Sequence, residues 1–483
     1  MLFNSYHFLL FFPVVVSLYF TVPHRVKNVW LLVASYFFYM CWNAKYGLIL
    51  FGCTAVSYCG AIAVERLANA GKSARVRILV FSITLFVLFA TVFFYKYLNF
   101  TLLMLRRACA LVHVSLPKKR FDIVLPVGIS FFTFQAAGYI VDVWRGEAKA
   151  ERNFVQYALF VSFFPQLVAG PIERTRNLMS QLDEVHRFDF ERAKDGIFQM
   201  IWGFFLKLVI ADRAAIFVDA VYAGWEHVNG MILMLATILF AFQIYCDFCG
   251  YSTIARGTAQ VLGIRLTENF DAPYCAVSVR DFWRRWHISL STWFRDYVYI
   301  PLWGSRCSKW KSYFNVVAVM AVSGLWHGAG FHFIAWGALH GILQVVERLS
   351  GAVREKLPKG ICWFMTFFWV CVGWCLFRAP SFRTALSMLK RMAKAVFAGD
   401  FFRGEHLYAY GLDVHEWHVL VIALAVLVLA DYARYKGVVL RERICRTDAF
   451  SQIMAVVVSV VFVIAVGVWG GSYNASNFIY FQF

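Results

Sequence analysis

An all-α polytopic membrane protein is the fold class this sequence predicts, and three observations carry the prediction. The 483-residue chain is 61% hydrophobic and 16% charged, well below the roughly 25% charged residues of soluble domains. Uncharged stretches reaching the ~17–25 residues needed to cross a bilayer recur along it. Lys and Arg gather in the short connectors between those stretches, as the positive-inside bias requires. Counting soluble domains from length does not apply to such a chain. Residues 1–483 are expected to form a single membrane-embedded domain.

Apolar segments fall at 6–22, 29–42, 46–64, 78–105, 123–143, 154–169, 195–222, 230–251, 313–325, 329–347, 361–377, 417–430 and 452–470. Some should be re-entrant or interfacial, which leaves about ten to twelve spans. Met1 to Tyr6 carries no charge and no small-residue cleavage site follows, so residues 6–22 read as a retained first span. Cations at Arg25, Lys27, Arg66, Lys72, Arg75 and Arg77, and again from Arg434 to Arg446, mark cytoplasmic connectors. Both termini then lie on the outer side. Arg106 and Arg107, with Lys118 to Arg120 soon after, fit this scheme through a half-membrane helix at about 100–116. Residues 382–397 read as a basic amphipathic helix lying in the interface, with Phe382, Leu386, Leu389, Ala393 and Phe397 on one face. A polar outer loop at 398–416 follows.

The net charge of +19 invites a nucleic-acid reading, but the positions of the cations explain it by topology, and no nucleic-acid partner is expected. The twelve cysteines form no disulfide framework. Most lie in apolar runs, where free Cys behaves as a small hydrophobe. Cys246 and Cys249 match C-x-x-C without a second pair or a redox context. The zinc-hydrolase H-E-x-x-H, the G-x-S-x-G elbow, the phosphate-binding loop and the dinucleotide glycine fingerprint are all absent. No metal site and no tightly bound cofactor are expected.

Chemistry concentrates between Arg280 and Gly330. Arg284-Arg285-Trp286-His287-Ile288-Ser289 opens this stretch, and Ser323-Gly324-Leu325-Trp326-His327-Gly328 closes it. An ionisable residue at membrane depth marks function by default. The glycines around His327 allow the irregular backbone tolerated there only against protein or a watery cavity. A neutral His hydrogen-bonded at a helix junction is the plain alternative. His287 follows three arginines, and an ordinary interfacial His in a cytoplasmic segment explains it as well. Residues 276–311 carry seven Lys/Arg against two Asp; the excess suits a phosphate-bearing donor or simply an inside loop. His332 and His340 share no ligand spacing with His327. Polar residues in 126–135, 164–174 and 247–252 read as helix-packing contacts in lipid. Transporters share the broken helices and buried polar groups, so that class stays open on these grounds.

Seven ordered motifs carry a resemblance: LPVGISFFTFQ (125–135), FFPQLVAGPIER (163–174), DFCGYSTIARG (247–257), ENFDAPY (268–274), RDFWRRWHISLSTWFRDYVYIPL (280–302), SGLWHGAG (323–330) and FIYFQF (478–483). Together the chain resembles the membrane-bound O-acyltransferase family, in its bacterial alginate O-acetyltransferase-like branch. The resemblance implies a ring of tilted transmembrane helices around a central pore. It implies His327 as the catalytic histidine and His287 as the second histidine of this branch. On that reading Trp286 and Trp326 wall the tunnel, although packing explains them equally well, and Arg284 and Arg285 help dock the donor.

The implied reaction takes an acyl group, acetyl in this branch, from a cytoplasmic thioester. Acetyl-CoA or an acyl-carrier thioester is the co-substrate. The acceptor is a hydroxyl on the outer side of the bacterial inner membrane, in an exopolysaccharide or another envelope glycan. Implied partners are the lipid bilayer, a periplasmic acetyltransferase, the polysaccharide synthesis machinery and a cytoplasmic acyl carrier. D-alanyl transfer from a carrier protein remains an alternative, because a teichoic acid branch shares the fold.

Overall fold

Helices are the regular elements that these residues form. The computed structural model describes residues 1–117, 120–399, 404–469 and 479, and it contains no strand among them. The chain divides into two units. The first is Met1–Ala193 with Thr258–Thr267, and the second is Lys194–Gly257 with the chain from Glu268 onward.

The first unit holds α1 (Tyr6–Thr21), α2 (His24–Met40), α3 (Ala44–Asn69), α4 (Ala74–Leu111), α5 (Ile129–Trp144), α6 (Phe154–Ser162) and α7 (Thr175–Asp183). α4 corrects one expectation. No separate half-membrane helix starts near residue 100; α4 runs through it for 38 residues. Ala74–Leu111 contains neither Gly nor Pro, so nothing breaks the backbone. A π turn at Phe93–Tyr97 absorbs the irregularity instead. The segment expected at 154–169 is the reverse case. α6 stops at Ser162, and a single turn over Phe164–Leu167 follows. Pro165 supplies no amide hydrogen to continue a ladder. Gln135 and Gln166 both donate to the Phe160 carbonyl, at 2.6 and 2.9 Å. These two glutamines satisfy a carbonyl left open at the break.

The second unit begins with α8 (Phe190–Phe204), whose first residues precede it. A π turn at Phe205–Ala211 joins α8 to α9 (Asp212–Ala223). Then come α10 (Gly230–Val261), α11 (Val279–Arg285), α12 (Ile288–Phe294), α13 (Lys309–His327), α14 (Phe331–Leu349), α15 (Lys359–Arg378), α16 (Phe382–Ala398), α17 (Val414–Tyr435) and α18 (Ala449–Val466). The π turn carries buried Lys207, whose Nζ lies 2.8 Å from Asp212 and 2.6 Å from Asp247. Asp247 also accepts the Ile479 amide at 2.8 Å. The rest of the terminal FIYFQF motif lies outside the described residues, as do Lys118, Lys119 and 400–403 of the expected outer loop.

α16 is the amphipathic helix expected at 382–397, and it packs on the protein by a strip other than the Phe382–Phe397 face. Ala385, Met388, Met392 and Ala395 are buried, while Phe382, Leu386 and Phe397 are exposed, Phe397 by 90%. Two apolar strips run along this helix, and the small-residue strip is the one that packs closely. Among the described residues six helices are long and apolar enough to span a bilayer: α3, α4, α10, α15, α17 and α18. The protein is a multi-pass membrane protein.

Candidate active site

Close packing of α13 on α14 builds one side of the site. A Cβ on Gly324 would lie 2.1 Å from the Phe333 carbonyl oxygen, and one on Gly337 2.1 Å from that of Met320. Only glycine lets the two backbones approach this closely. α13 ends on His327, and Gly328 turns out of the helix with φ −166°. The hairpin thus leaves His327 buried at its bend. The ring sits 4.8 Å from Trp326, 5.2 Å from Trp336 on α14 and 5.4 Å from Phe377 on α15, centroid to centroid.

The other side comes from α11 and α12. Ser278 caps α11 by accepting the Asp281 amide at 2.9 Å. The Glu347 carboxylate accepts the Val279 and Arg280 amides at 2.8 and 3.2 Å, an anion where the helix dipole favours one. α11 ends before Trp286, and His287 adopts the left-handed region with φ +45°, uncommon for a residue with a Cβ. Asn269 fixes that turn. Its carbonyl accepts the Ile288 amide at 3.0 Å and its Oδ1 accepts the Ser289 amide at 3.2 Å. Its Nδ2 donates to Ser252 at 3.1 Å. Burial is complete at His287, and it pushes the imidazole pKa down to about 3. The ring is therefore neutral at cellular pH.

The two Trp-His pairs, forty residues apart in sequence, meet here. His287 and His327 lie 6.5 Å apart between ring centroids, with planes at 61°. Trp326 joins them, 6.0 Å from His287. Trp286 turns elsewhere, stacking on Phe282 at 5.4 Å and touching Trp374 at 5.0 Å. Arg285 is committed to Asp281 at 3.1 Å and Asp271 at 3.2 Å, with its guanidinium over the Tyr435 ring at 5.0 Å. Arg284 is exposed. A third histidine, His340, is buried one ring away from His327, 5.1 Å from Trp336 and stacked on Phe282.

Sequence reasoning did not single out Asn269, Phe248, Trp336 or Phe377, although they position the imidazoles. Phe248 packs 4.6 Å from His287. Asn269 and Phe248 lie within quoted motifs, where an Asn beside apolar residues was the available signal. Nothing local marks Trp336 and Phe377. Among the described residues no group of three or more His, Cys, Asp or Glu is arranged to hold a metal ion.

The membrane-bound O-acyltransferase family profile matches residues 145–389, a stretch that includes both histidines. The chain is 35% identical to a Pseudomonas aeruginosa protein named "Probable alginate O-acetylase AlgI", over 94% of this chain and 86% of that one. The chain belongs to the membrane-bound O-acyltransferase family. It is 34% identical to a peptidoglycan O-acetyltransferase of Helicobacter pylori, over 81% of this chain and 80% of the relative. A teichoic acid D-alanyltransferase of Bacillus subtilis is more distant, at 28% over 53% of this chain and 69% of the relative. Membership makes the protein an acyltransferase. The transporter alternative falls away.

Proposed function

We propose that this acyltransferase moves an acetyl group from a cytoplasmic thioester, acetyl-CoA or a carrier-bound thioester, to a hydroxyl of an envelope glycan outside the inner membrane. One observation carries the reading: two buried imidazoles from distant motifs share a site with Trp326, and one of them ends a helix at a glycine bend. His327 is the general base. It takes the hydroxyl proton as oxygen attacks the thioester carbonyl, the C–O bond forms, the C–S bond breaks, and the imidazolium returns the proton to the leaving thiolate. A base of this kind contributes about 10²–10⁴-fold. His287 is neutral, and it steadies the developing oxyanion by donating a hydrogen bond. Edge to face with centroids 6.5 Å apart, the two rings are near enough for one substrate to meet both.

The finer parts of this reading go together. About ten to twelve tilted spans ring a pore through which donor and acceptor approach from opposite sides. Both termini face the periplasm, and residues 1–483 act as one domain. Trp326 walls the tunnel; Trp286 contributes through packing. Exposed Arg284 meets the donor's phosphates or an acyl carrier, while Arg285 holds the scaffold. A periplasmic acetyltransferase and the polysaccharide synthesis machinery are the partners on the outer side. The names of the alginate and peptidoglycan relatives support acetyl and a glycan acceptor, and the D-alanyltransferase's name supplies the competing acyl group.

The test compares purified wild-type and His327→Ala proteins in lipid nanodiscs with labelled acetyl-CoA, acetyl-carrier and D-alanyl-carrier thioesters. The expected result is acetyl transfer to glycan hydroxyls, falling at least 10²-fold in the variant. Undiminished transfer by His327→Ala removes the general-base role. Preference for the D-alanyl thioester replaces the acetyl assignment.

A further inference from the structure

A cavity lies beside the His287 turn, lined by residues of the second unit. It encloses about 710 Å³ between α8, α10, α17 and α18, within the ~300–1,000 Å³ of ligand sites. Its lining is divided along its length. Phe205, Val426, Val458 and Phe462 form an apolar shaft, and Arg256, Glu268, Arg434 and Arg441 lie at one end. On α17 the lining runs from Ile422 to Arg434, about 18 Å at ~1.5 Å per residue. That is close to one leaflet, half of the ~30 Å hydrocarbon core. The shaft also opens sideways. Val426, Val458 and Phe462 are 43%, 58% and 41% exposed on helices that face lipid.

From this division of charge, depth and opening we propose that the cavity is a binding site for one membrane glycerophospholipid with a zwitterionic head group. One acyl chain fills the shaft. The phosphate meets the guanidinium end, where Arg256 pairs with Glu268 at 2.7 Å and Arg434 with Glu268 and Asp271 at 2.7 and 2.8 Å. Carboxylates of Glu268 and Glu442 beside those cations accept the ammonium group. A head group of both signs suits an end that carries both signs.

The site's inner wall gives the lipid a consequence. Ser252, Asn269 and Phe270 line the cavity, and Asn269 holds the His287 turn from the other face. Phe270 packs 5.0 Å from Phe248, the ring against His287. An occupied shaft therefore braces the turn, whatever acyl group the enzyme carries.

Native mass spectrometry of the full chain, purified in mild detergent and delipidated stepwise, tests the site without reference to activity. The probe is phosphatidylethanolamine, re-added after lipid extraction. Wild type is expected to retain one lipid, with occupancy at least tenfold lower in Val426→Trp and Val458→Trp, which fill the shaft. Leu429→Trp, exposed on α17 outside the lining, retains it. Where a Trp variant fails to purify as a single peak, Ser459→Phe takes its place. Loss of lipid from wild type at the first delipidation step, equal occupancy in the shaft variants, or a pantetheine thioester as the retained mass overturns the proposal.

Discussion

Asn269 holds His287 in its left-handed turn by accepting the next two amides, those of Ile288 and Ser289, at 3.0 and 3.2 Å. A carboxamide with both acceptor and donor satisfied is doing a positioning task. Asn269→Ala removes the Oδ1 acceptor and leaves the Ser289 amide buried. The expected cost is about 1–3 kcal/mol of stability. Because the turn loosens, kcat should fall about tenfold with little change in donor KM. Thermal unfolding and steady-state kinetics on the same preparation check both.

Burial sets the sign of a pH effect at His287. The folded pKa of about 3 lies below the ~6.5 of an exposed imidazole, so the unfolded chain binds the proton more readily. Stability from this residue is complete above about pH 6.5 and is lost as pH falls toward 3, by about 1.4 kcal/mol per unit. Thermal midpoints should therefore drop between pH 7 and pH 5. His287→Asn should flatten that drop, and an equal slope in the variant would assign it to other groups.

Glycines of the α13–α14 hairpin divide by what a methyl would meet. Gly324→Ala and Gly337→Ala each drive a Cβ against a carbonyl oxygen at 2.1 Å. Both should separate the helices, lowering the folded yield and abolishing transfer. Gly360, near the start of α15, has nothing within 4 Å. Gly360→Ala should leave activity unchanged and raise stability by up to about 1 kcal/mol. Size-exclusion profiles and thermal midpoints distinguish the three.

Much of the fold was readable in advance, for reasons visible in particular residues. Apolar runs bounded by charges located α3, α10, α15 and α17 because lipid forces backbone polar groups into helices. The length of α4 was less readable, since Arg106 and Arg107 suggest an ending where the backbone has no reason to stop. On α16 both strips are apolar, and only the close packing of Ala385 and Ala395 decides which one faces inward. Within the site His287 and His327 stood out by chemistry. Trp336 and Phe377 did not, because a buried aromatic in a greasy helix looks the same whether it touches an imidazole or another ring.

The buried Lys207 between Asp212 and Asp247 makes the strongest single ionic prediction. Lys207→Ala leaves two carboxylates facing one another without the cation between them, at an expected cost of about 3–5 kcal/mol. Thermal unfolding should show it, and Lys207→Arg should recover part of the loss.

Arg284 and Arg285 are neighbours in different settings, the first exposed and the second ion-paired. Arg284→Ala should raise donor KM severalfold and leave the thermal midpoint alone. Arg285→Ala breaks contacts to Asp271, Asp281 and Tyr435 and should lower stability by about 1 kcal/mol. The same KM change in both variants would argue against this division.

The ladder Arg256–Glu268–Arg434–Asp271–Arg285–Asp281 has a further consequence for encounters. Three guanidinium groups there are answered by three carboxylates, so they cancel at long range. The field that an approaching anion meets is weaker than the net charge of +19 implies, and it comes mainly from cations outside the ladder, such as Arg284. Association of an anionic carrier with this face should accelerate only modestly as salt is withdrawn.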